Sequence, residues 1–554
     1  NTTGASNTAV GYAALDANTT AHTNVAVGYA SLGANTTGAS NTAVGASALD
    51  ANTTGASNVA LGESALGANT DGNYSVALGA QALLLNTTGI RNTAIGYAAL
   101  DANTTTNDNV GIGYGALGSN TAAGNVAVGY GAMTLNTTGV DNTAVGNSAL
   151  DANTTGEDNT AIGDNALGAN TTASNNTAVG SAALLVNTTG TANVAVGKGS
   201  LTAGTTGSNN VAIGDAALYA NTTADNNVAV GKSAMVANTT GHSNVAVGAL
   251  ALDANTTSTL NTAIGHNSLS GNTTGAQNTG IGANTLVATT TQNYNTAVGY
   301  GALNANTAAN NVAVGYNALV LNSTGTQNAA LGAYALDANT TASGNTGLGY
   351  FGLSANTTGA DNTAVGNQAL AANTTGAENV SVGSYSLDAN TTASYNTAVG
   401  HYALGANTTG ARNTGIGRTA LQTNTTGTYN VALGMNALQV STTANDNTAV
   451  GYNAMALNTT GTRNTALGTY ALDANTTANY NVAIGSYTLS DSTGANNTAV
   501  GEAALGQNTT ASNNTAVGYA ALTANTTATY NTAVGKSSMA ANTTGGDNTA
   551  IGGL

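Results

Sequence analysis

The chain has 554 residues, a formal net charge of −16 and only 5% charged residues, with 73 glycines and no proline, cysteine or tryptophan. Soluble proteins typically carry about 25% charged residues, and disordered chains are usually rich in charge and proline. The composition therefore excludes a mixed α/β enzyme and an ordinary disordered chain. It indicates an ordered fibrous array.

The charge is spread too thinly to create a strong field, so nucleic acid is not an expected partner. No run approaches the roughly 18 consecutive apolar residues of a membrane helix, and Asn1 begins no signal-peptide pattern. We expect no membrane span in this segment and no cofactor. The lack of cysteine excludes disulfides and identifies no redox compartment.

A tandem repeat with the approximate consensus N-T-T-G-x-x-N-T-A-V-G-x-x-A-L-x-A runs through the chain, and its positions are numbered below from 1 to 17. There are 29 full units, three units that are one residue shorter and start at Asn120, Asn306 and Ser492, and a final partial unit. Because the units follow one another without interruption, we expect residues 1–554 to form one repeat array that belongs to a longer fibre.

Within the unit, positions 8 and 10 alternate with positions 7, 9 and 11, which predicts a short β-strand ending at the glycine of position 11. A second short strand is expected around position 15. Positions 8, 10 and 15, which carry Thr or Val, then Val, Ile or Leu, then Leu or Met, are expected to form the core. Asn, Thr, Gly and β-branched residues disfavour a helix.

These features predict an all-β fold, a parallel β-solenoid or β-roll of about 33 turns with one repeat per turn. Turns about 4.8 Å apart would give a rod of roughly 160 Å. Equivalent side chains would stack in ladders, with amide-to-amide hydrogen bonds between asparagines at position 7. The predicted ladder residues of the first three turns are Asn7, Asn24, Asn41, Gly11, Gly28, Gly45, Leu15, Leu32 and Leu49.

The strand segments have a recognisable sequence. Asn7 to Gly11 (N-T-A-V-G), Asn24 to Gly28 (N-V-A-V-G), Ser75 to Gly79 (S-V-A-L-G) and Asn481 to Gly485 (N-V-A-I-G) resemble the S-V-A-I-G head repeat of trimeric autotransporter adhesins. The resemblance implies a left-handed parallel β-roll with three chains side by side on a bacterial surface. The family's repeat is shorter and lacks the N-T-T-G segment, and related repeats occur in virus tail fibres.

Residues suited to catalysis or metal binding occur only in the variable columns. The histidines His22, His242, His266 and His401 lie far apart in sequence, so we expect no metal site or catalytic cluster, and no enzyme. Gly111 to Gly115 is the repeat strand with its turn and has no following helix to hold a phosphate. The position-6 acids Asp141, Asp158, Asp361 and Asp547 recur too irregularly for calcium sites.

Two features of the repeat suggest surface chemistry. Of 22 tyrosines, 21 lie at positions 6, 12 or 13, where they would pack between chains or contact sugars. The N-T-T motif at position 1 is either turn chemistry or an N-glycosylation acceptor. The candidate glycosylation sites are Asn1, Asn18, Asn35, Asn52, Asn86, Asn103, Asn136, Asn153, Asn170 and Asn187.

The sequence thus predicts a structural, extracellular or cell-surface fibre or adhesin shaft, with or without a glycan coat. Its expected partner is itself, as a lateral trimer or an end-to-end filament, with covalent glycans or surface carbohydrate as further partners. One alternative is a solenoid that binds carbohydrate or ice through threonine or tyrosine ladders. Another is a virus tail-fibre shaft on a virion surface.

Overall fold

The computed structural model describes residues 2–553, which contain 33 strands of three residues each and no α-helix. The chain divides into two compact units, residues 1–277 and residues 278–554. Each strand occupies positions 8 to 10 of its repeat. Thr or Val at position 8 and a branched aliphatic residue at position 10 are residues that favour extended backbone.

The strands of the first unit are Thr8–Val10 (β1), Val25–Val27 (β2), Thr42–Val44 (β3), Val59–Leu61 (β4), Val76–Leu78 (β5), Thr93–Ile95 (β6), Val110–Ile112 (β7), Val126–Val128 (β8), Thr143–Val145 (β9), Thr160–Ile162 (β10), Thr177–Val179 (β11), Val194–Val196 (β12), Val211–Ile213 (β13), Val228–Val230 (β14), Val245–Val247 (β15) and Thr262–Ile264 (β16).

The strands of the second unit are Thr279–Ile281 (β17), Thr296–Val298 (β18), Val312–Val314 (β19), Ala329–Leu331 (β20), Thr346–Leu348 (β21), Thr363–Val365 (β22), Val380–Val382 (β23), Thr397–Val399 (β24), Thr414–Ile416 (β25), Val431–Leu433 (β26), Thr448–Val450 (β27), Thr465–Leu467 (β28), Val482–Ile484 (β29), Thr498–Val500 (β30), Thr515–Val517 (β31), Thr532–Val534 (β32) and Thr549–Ile551 (β33).

Within each unit every strand pairs in parallel with the strand of the next turn. In the first unit Ala26 of β2 lies opposite Ala43 of β3, and in the second Ala364 of β22 lies opposite Ser381 of β23. The register is one whole repeat, which places equivalent positions next to one another. The predicted all-β parallel solenoid with one repeat per turn is therefore confirmed.

The interior of a turn is narrow. Alanine at position 9 is fully buried, as at Ala26, and so is leucine at position 15, as at Leu32. The expectation that positions 8 and 10 also form the core is wrong: Val59 and Leu61 are 41% and 43% exposed. Because successive side chains of a strand point to opposite faces, burial of position 9 turns positions 8 and 10 outward.

The predicted second strand at position 15 is also absent from the described residues, where positions 12 to 17 form turns. Leu32 has a φ of 51° and Leu49 a φ of 52°, a left-handed conformation that does not continue a strand. The leucine backbone still links neighbouring turns, because the Leu32 N–H donates to the carbonyl of Ala48 at 3.0 Å. The side chain is buried without a second sheet.

Candidate functional surfaces

Asparagine at position 7 joins neighbouring turns through the backbone. The Asn41 N–H donates to Oδ1 of Asn24 at 2.8 Å, and Nδ2 of Asn41 donates to the carbonyl of Gly55 at 2.8 Å. Asn24 is held in the same way by Asn7, whose Oδ1 accepts the Asn24 N–H at 2.9 Å. The predicted amide-to-amide contact is thus not what links Asn7, Asn24 and Asn41.

Amide-to-amide hydrogen bonds do occur at position 7 in other turns, as from Nδ2 of Asn159 to Oδ1 of Asn142 at 3.1 Å, and a second amide-to-amide ladder lies at position 1. Nδ2 of Asn52 donates to Oδ1 of Asn35 at 2.9 Å and to the carbonyl of Gly55, also at 2.9 Å. Oδ1 of Asn52 in turn accepts from Nδ2 of Asn69 at 2.8 Å. All of these side chains are buried. The column therefore pairs buried hydrogen-bonding groups inside the solenoid and holds the turns in register.

This placement bears on the glycosylation candidates. Eight of them are completely inaccessible and Asn18 is 2% exposed, while Asn1 lies outside the described residues. The completely inaccessible candidates are Asn35, Asn52, Asn86, Asn103, Asn136, Asn153, Asn170 and Asn187. A glycan would be attached at the side-chain nitrogen, which here is enclosed and hydrogen-bonded. The geometry argues against glycans at these positions in the folded chain.

The glycine column at position 11 brings adjacent turns into backbone contact. Gly28 has a φ of 139°, as does Gly45. A Cβ on Gly45 would overlap the carbonyl oxygen of Gly62 and lie 2.6 Å from its carbonyl carbon. Both the dihedral angle and the missing space require glycine at this corner.

The position-2 threonines of the N-T-T segment use their hydroxyl groups in hydrogen bonds between turns. Oγ1 of Thr36, at position 2, donates to the carbonyl of Thr53 at 3.0 Å, and Thr19 makes the same contact with Thr36 at 2.9 Å. Threonine at position 3 is exposed, as at Thr54. The ladder at position 2 is thus a link between turns rather than a row of free hydroxyl donors for an ice surface.

An apolar stripe runs along each unit and is formed by the outward side chains at positions 8 and 10. We call it the outer strand stripe. In the second unit it includes Val312, Leu331 and Leu348, which are 44%, 50% and 38% exposed. These residues line an open groove of about 300 Å³ with Val314 and Ala329. The sequence does contain a sign that positions 8 and 10 point outward: position 9 holds only the small residues Ala, Gly or Ser, as a narrow interior requires.

The tyrosines at positions 12 and 13 form exposed stacks along the turns. In the first unit the rings of Tyr97 and Tyr114 are stacked 5.3 Å apart, and those of Tyr114 and Tyr130 also 5.3 Å apart. In the second unit Tyr300 and Tyr316 are stacked at 5.5 Å. Stacked rings cover one another's faces, so much of the aromatic surface of these tyrosines is in contact with a neighbouring tyrosine.

Position 6 carries a second set of contacts between turns. The guanidinium of Arg412 lies over the rings of Tyr395 and Tyr429, 5.3 and 5.4 Å from their centroids. Arg91 pairs with Asp108 of the next turn at 2.6 Å, and this exposed arginine lowers the pKa of the Asp108 carboxyl. The predicted position-6 acids Asp141, Asp158, Asp361 and Asp547 are exposed.

A half-buried row of aspartates occurs at position 16. Burial raises the pKa of the carboxyls of Asp101, Asp151 and Asp337, and the same cause with the nearby Asp491 raises the pKa of Asp473 to about 6. Each of these four aspartates accepts a backbone hydrogen bond from a leucine at position 17 of the preceding turn. The backbone N–H of Leu135 donates to the Asp151 carbonyl at 3.1 Å, and Leu85, Leu321 and Leu457 contact Asp101, Asp337 and Asp473 equivalently.

The histidines are not brought together. Nδ1 of His22 accepts the N–H of Ala5 at 2.9 Å, and His401 packs edge-on against Tyr402 at 4.3 Å. Nδ1 of His242 lies 3.3 Å from Oγ of Ser243. Within residues 2–553 no three acidic or histidine side chains are grouped as metal ligands. In that same range, no helix has the length and hydrophobicity to cross a membrane.

Comparison with known proteins adds no assignment. No protein-family model matches the chain, and no curated protein is significantly similar to it.

Proposed function

We propose that the chain is a structural element of an extracellular fibre or adhesin shaft, in which copies of the solenoid pack side by side. The outer strand stripe is the observation that carries this proposal. Position 10 carries valine, leucine or isoleucine in every turn, position 8 carries threonine or valine in all but one, and many of the aliphatic side chains are 36% exposed or more. Continuous exposed apolar surface of this kind is typical of an interaction surface.

A second copy of the chain is the partner that fits the stripe best. Each turn presents two outward side chains, at positions 8 and 10, and the turns are spaced at the strand separation of about 4.8 Å. A partner with the same spacing would match the stripe at every turn, and this chain has that spacing. The resemblance to adhesin head repeats supports the same arrangement and an extracellular location.

No glycan is proposed on the position-1 asparagines, because their nitrogens are enclosed. The low charge of the chain then makes burial of the stripe more important, since exposed apolar stripes promote uncontrolled association. Lateral packing would cover that surface with a defined partner.

The test is the molar mass in solution. Analytical ultracentrifugation of the wild-type chain should give a defined multiple of the 53.3 kDa chain mass. Replacing Val312→Lys, Leu331→Lys and Leu348→Lys together puts three charges on neighbouring turns of the stripe, and we expect dissociation to the monomer. The side chains point outward, so far-ultraviolet circular dichroism should remain unchanged.

The matched control puts the same three charges on another face. Thr324, Thr341 and Thr358 are exposed at position 3 of the second unit. Their simultaneous replacement by lysine should leave the molar mass unchanged. A monomeric wild-type chain, or a stripe variant that still assembles like the control, would refute lateral packing.

A further inference from the structure

One combination of surface residues recurs in the chain at a separation that the simple repeat does not require. Tyr114, Tyr130, Leu135 and Asp151 have counterparts eleven repeats later in Tyr300, Tyr316, Leu321 and Asp337. The three short units, at Asn120, Asn306 and Ser492, follow one another at the same separation of eleven repeats. The first set lies in residues 1–277 and the second in residues 278–554.

The recurrence is selective. Position 12 carries ten tyrosines, position 16 eight aspartates and position 17 four leucines. Among them, only the members of these two sets recur after eleven repeats. The combination is not tied to this spacing, because Tyr452, Leu457 and Asp473 repeat it only eight repeats later, and the short unit at Ser492 lacks it. Packing within the solenoid does not require the leucines Leu135 and Leu321, because both are more than half exposed, at 52% and 54%.

In the first unit the combination forms a groove of about 330 Å³. Tyr130 and Leu135 line it together with Thr134, and Ser148 and Asp151 of the next turn contribute polar groups. Gly115 belongs to the lining, and a Cβ at this residue would meet no atom within 4 Å. The groove therefore combines an aromatic ring, an aliphatic wall, two hydroxyls and a carboxylate.

We propose that this groove, and its counterpart at Tyr316, Leu321 and Asp337, binds a pyranose ring of a neutral carbohydrate. Small-molecule sites generally combine apolar and aromatic walls with a few placed polar groups in volumes of about 300 to 1,000 Å³. A pyranose presents C–H groups to Tyr130 and Leu135 and hydroxyls to Asp151, Ser148 and Thr134. The inference is independent of lateral packing, since it uses positions 12, 16 and 17 rather than the strand.

The ring geometry favours a sugar over an organic cation. Recognition of an ammonium group uses aromatic faces that surround it. Tyr114 and Tyr130 are inclined by only 14° and stacked on each other, so they form a flat stack and cannot enclose a cation. The groove offers the uncovered part of the Tyr130 ring and the Leu135 side chain next to hydrogen-bond acceptors, an arrangement that fits a sugar ring.

The two copies are not identical. Tyr334 takes the place of Ser148, and its ring lies 5.3 Å from Tyr316 at 67°. Asn317 takes the place of Gly131 in the groove lining. We expect the second copy to bind more weakly, because Val320 and Tyr334 replace the two groove hydroxyls of Thr134 and Ser148.

Isothermal titration of the full chain with cellohexaose, xylohexaose, maltohexaose and chitohexaose tests the proposal. At least one oligosaccharide should bind, and Tyr130→Ala with Tyr316→Ala should weaken binding at least about tenfold, as expected for loss of aromatic anchors. Asp151→Asn with Asp337→Asn should also weaken it. The control Tyr519→Ala removes a position-12 tyrosine, 53% exposed, outside both grooves.

Binding that is lost in the tyrosine and aspartate variants and kept in the control supports the site. No binding of any of the four oligosaccharides overturns the proposal, as does binding that the double tyrosine variant retains. Tighter binding of choline than of every oligosaccharide also overturns it. Sedimentation of each variant separates this result from lateral packing, because the groove variants should assemble like the wild type.

Discussion

The side-chain amide of Asn52 donates to Oδ1 of Asn35 at 2.9 Å, and Oδ1 of Asn52 accepts from Asn69 at 2.8 Å. Each asparagine at position 1 can therefore act as donor and acceptor between three successive turns. Such a column is stable inside a narrow solenoid where the next turn also supplies an asparagine, whereas Oδ1 of Asn187, which is followed at position 1 by Gly204, has no partner. Removing one member leaves buried polar groups on both sides.

Asn52→Leu should therefore destabilise its neighbourhood strongly. The substitution leaves Oδ1 of Asn35 and an amide hydrogen of Asn69 without their partners. Each orphaned buried group costs about 1–3 kcal/mol, so we expect roughly 2–5 kcal/mol in total. Because solenoid turns contact mainly their neighbours, the loss should be local. Hydrogen–deuterium exchange followed by mass spectrometry should show faster exchange around residues 35–69.

Thr54→Ala is the control for this measurement. Thr54 is exposed at position 3 of the same turn. We expect exchange there to stay close to that of the wild type. Equal exchange in the two variants would mean that the position-1 ladder does not stabilise the stack.

The glycine corner predicts a second, larger effect. Gly45→Ala would place a Cβ against the backbone of Gly62, with 2.6 Å to the carbonyl carbon, so the two turns must separate. We expect a loss above about 3 kcal/mol, the range typical of a severe core defect. The soluble yield and the exchange rates of both turns are the measurements.

Gly199→Ala is the matched control. Gly199 has a φ of 65°, and its nearest neighbour to an added Cβ is Oγ1 of Thr202 at 3.5 Å. Ala182 has a φ of 56° in the same column one turn earlier. We expect a cost of about 1 kcal/mol, that of a left-handed alanine without a steric clash. A Gly45 variant as stable as this control would contradict the close contact of the corners.

The period of the sequence was sufficient to predict the solenoid and the strand at positions 8 to 10, because each unit repeats the same apolar and glycine columns. It was not sufficient to choose which strand face is buried. Val59 and Leu61 are more hydrophobic than Ala60, and hydrophobicity alone assigned them to the interior. The interior is too narrow for them: a Cβ on Gly111 would already lie 3.1 Å from Cγ of Leu100.

The polar interior was harder to predict for a related reason. Asparagines at positions 1 and 7 were equally regular in sequence, and both types of ladder satisfy an amide. The two columns differ in their shortest contact between turns, which is a backbone N–H donor at position 7, as from Asn41 to Asn24, and a side-chain amide donor at position 1, as from Asn52 to Asn35. The aromatic groove was missed because its residues belong to different turns.

A third prediction follows from the narrow interior. Ala144, at position 9, is fully buried, so Ala144→Val adds two methyl groups where neighbouring turns are already in contact. Overpacking of this kind costs about 1–3 kcal/mol. The neighbouring Val145→Leu lies on the outer strand stripe, where other turns carry leucine, and should cost less than about 0.5 kcal/mol.

Hydrogen–deuterium exchange of residues 136–169 measures both variants in one unit of the fold. Faster exchange in the position-9 variant alone is the expected result. The opposite order would show that position 10, rather than position 9, faces the interior.

The half-buried aspartates predict an unusual pH dependence. Burial and the nearby Asp491 raise the pKa of Asp473 from its ordinary value to about 6. The folded chain therefore binds a proton here more tightly than the unfolded chain does. The resulting stabilisation is fully present below about pH 4 and is lost as the pH rises through about 6.

Asp473→Asn should remove this dependence, because the amide has no charge to desolvate. Exchange rates of residues 456–490, corrected for intrinsic chemistry and measured between about pH 4 and 8, should become flatter and slower at the alkaline end. Asp361→Asn, at an exposed position-6 residue, should leave the wild-type profile unchanged. If the wild-type segment were instead more stable at pH 8 than at pH 5, burial of the Asp473 carboxyl would not determine its titration.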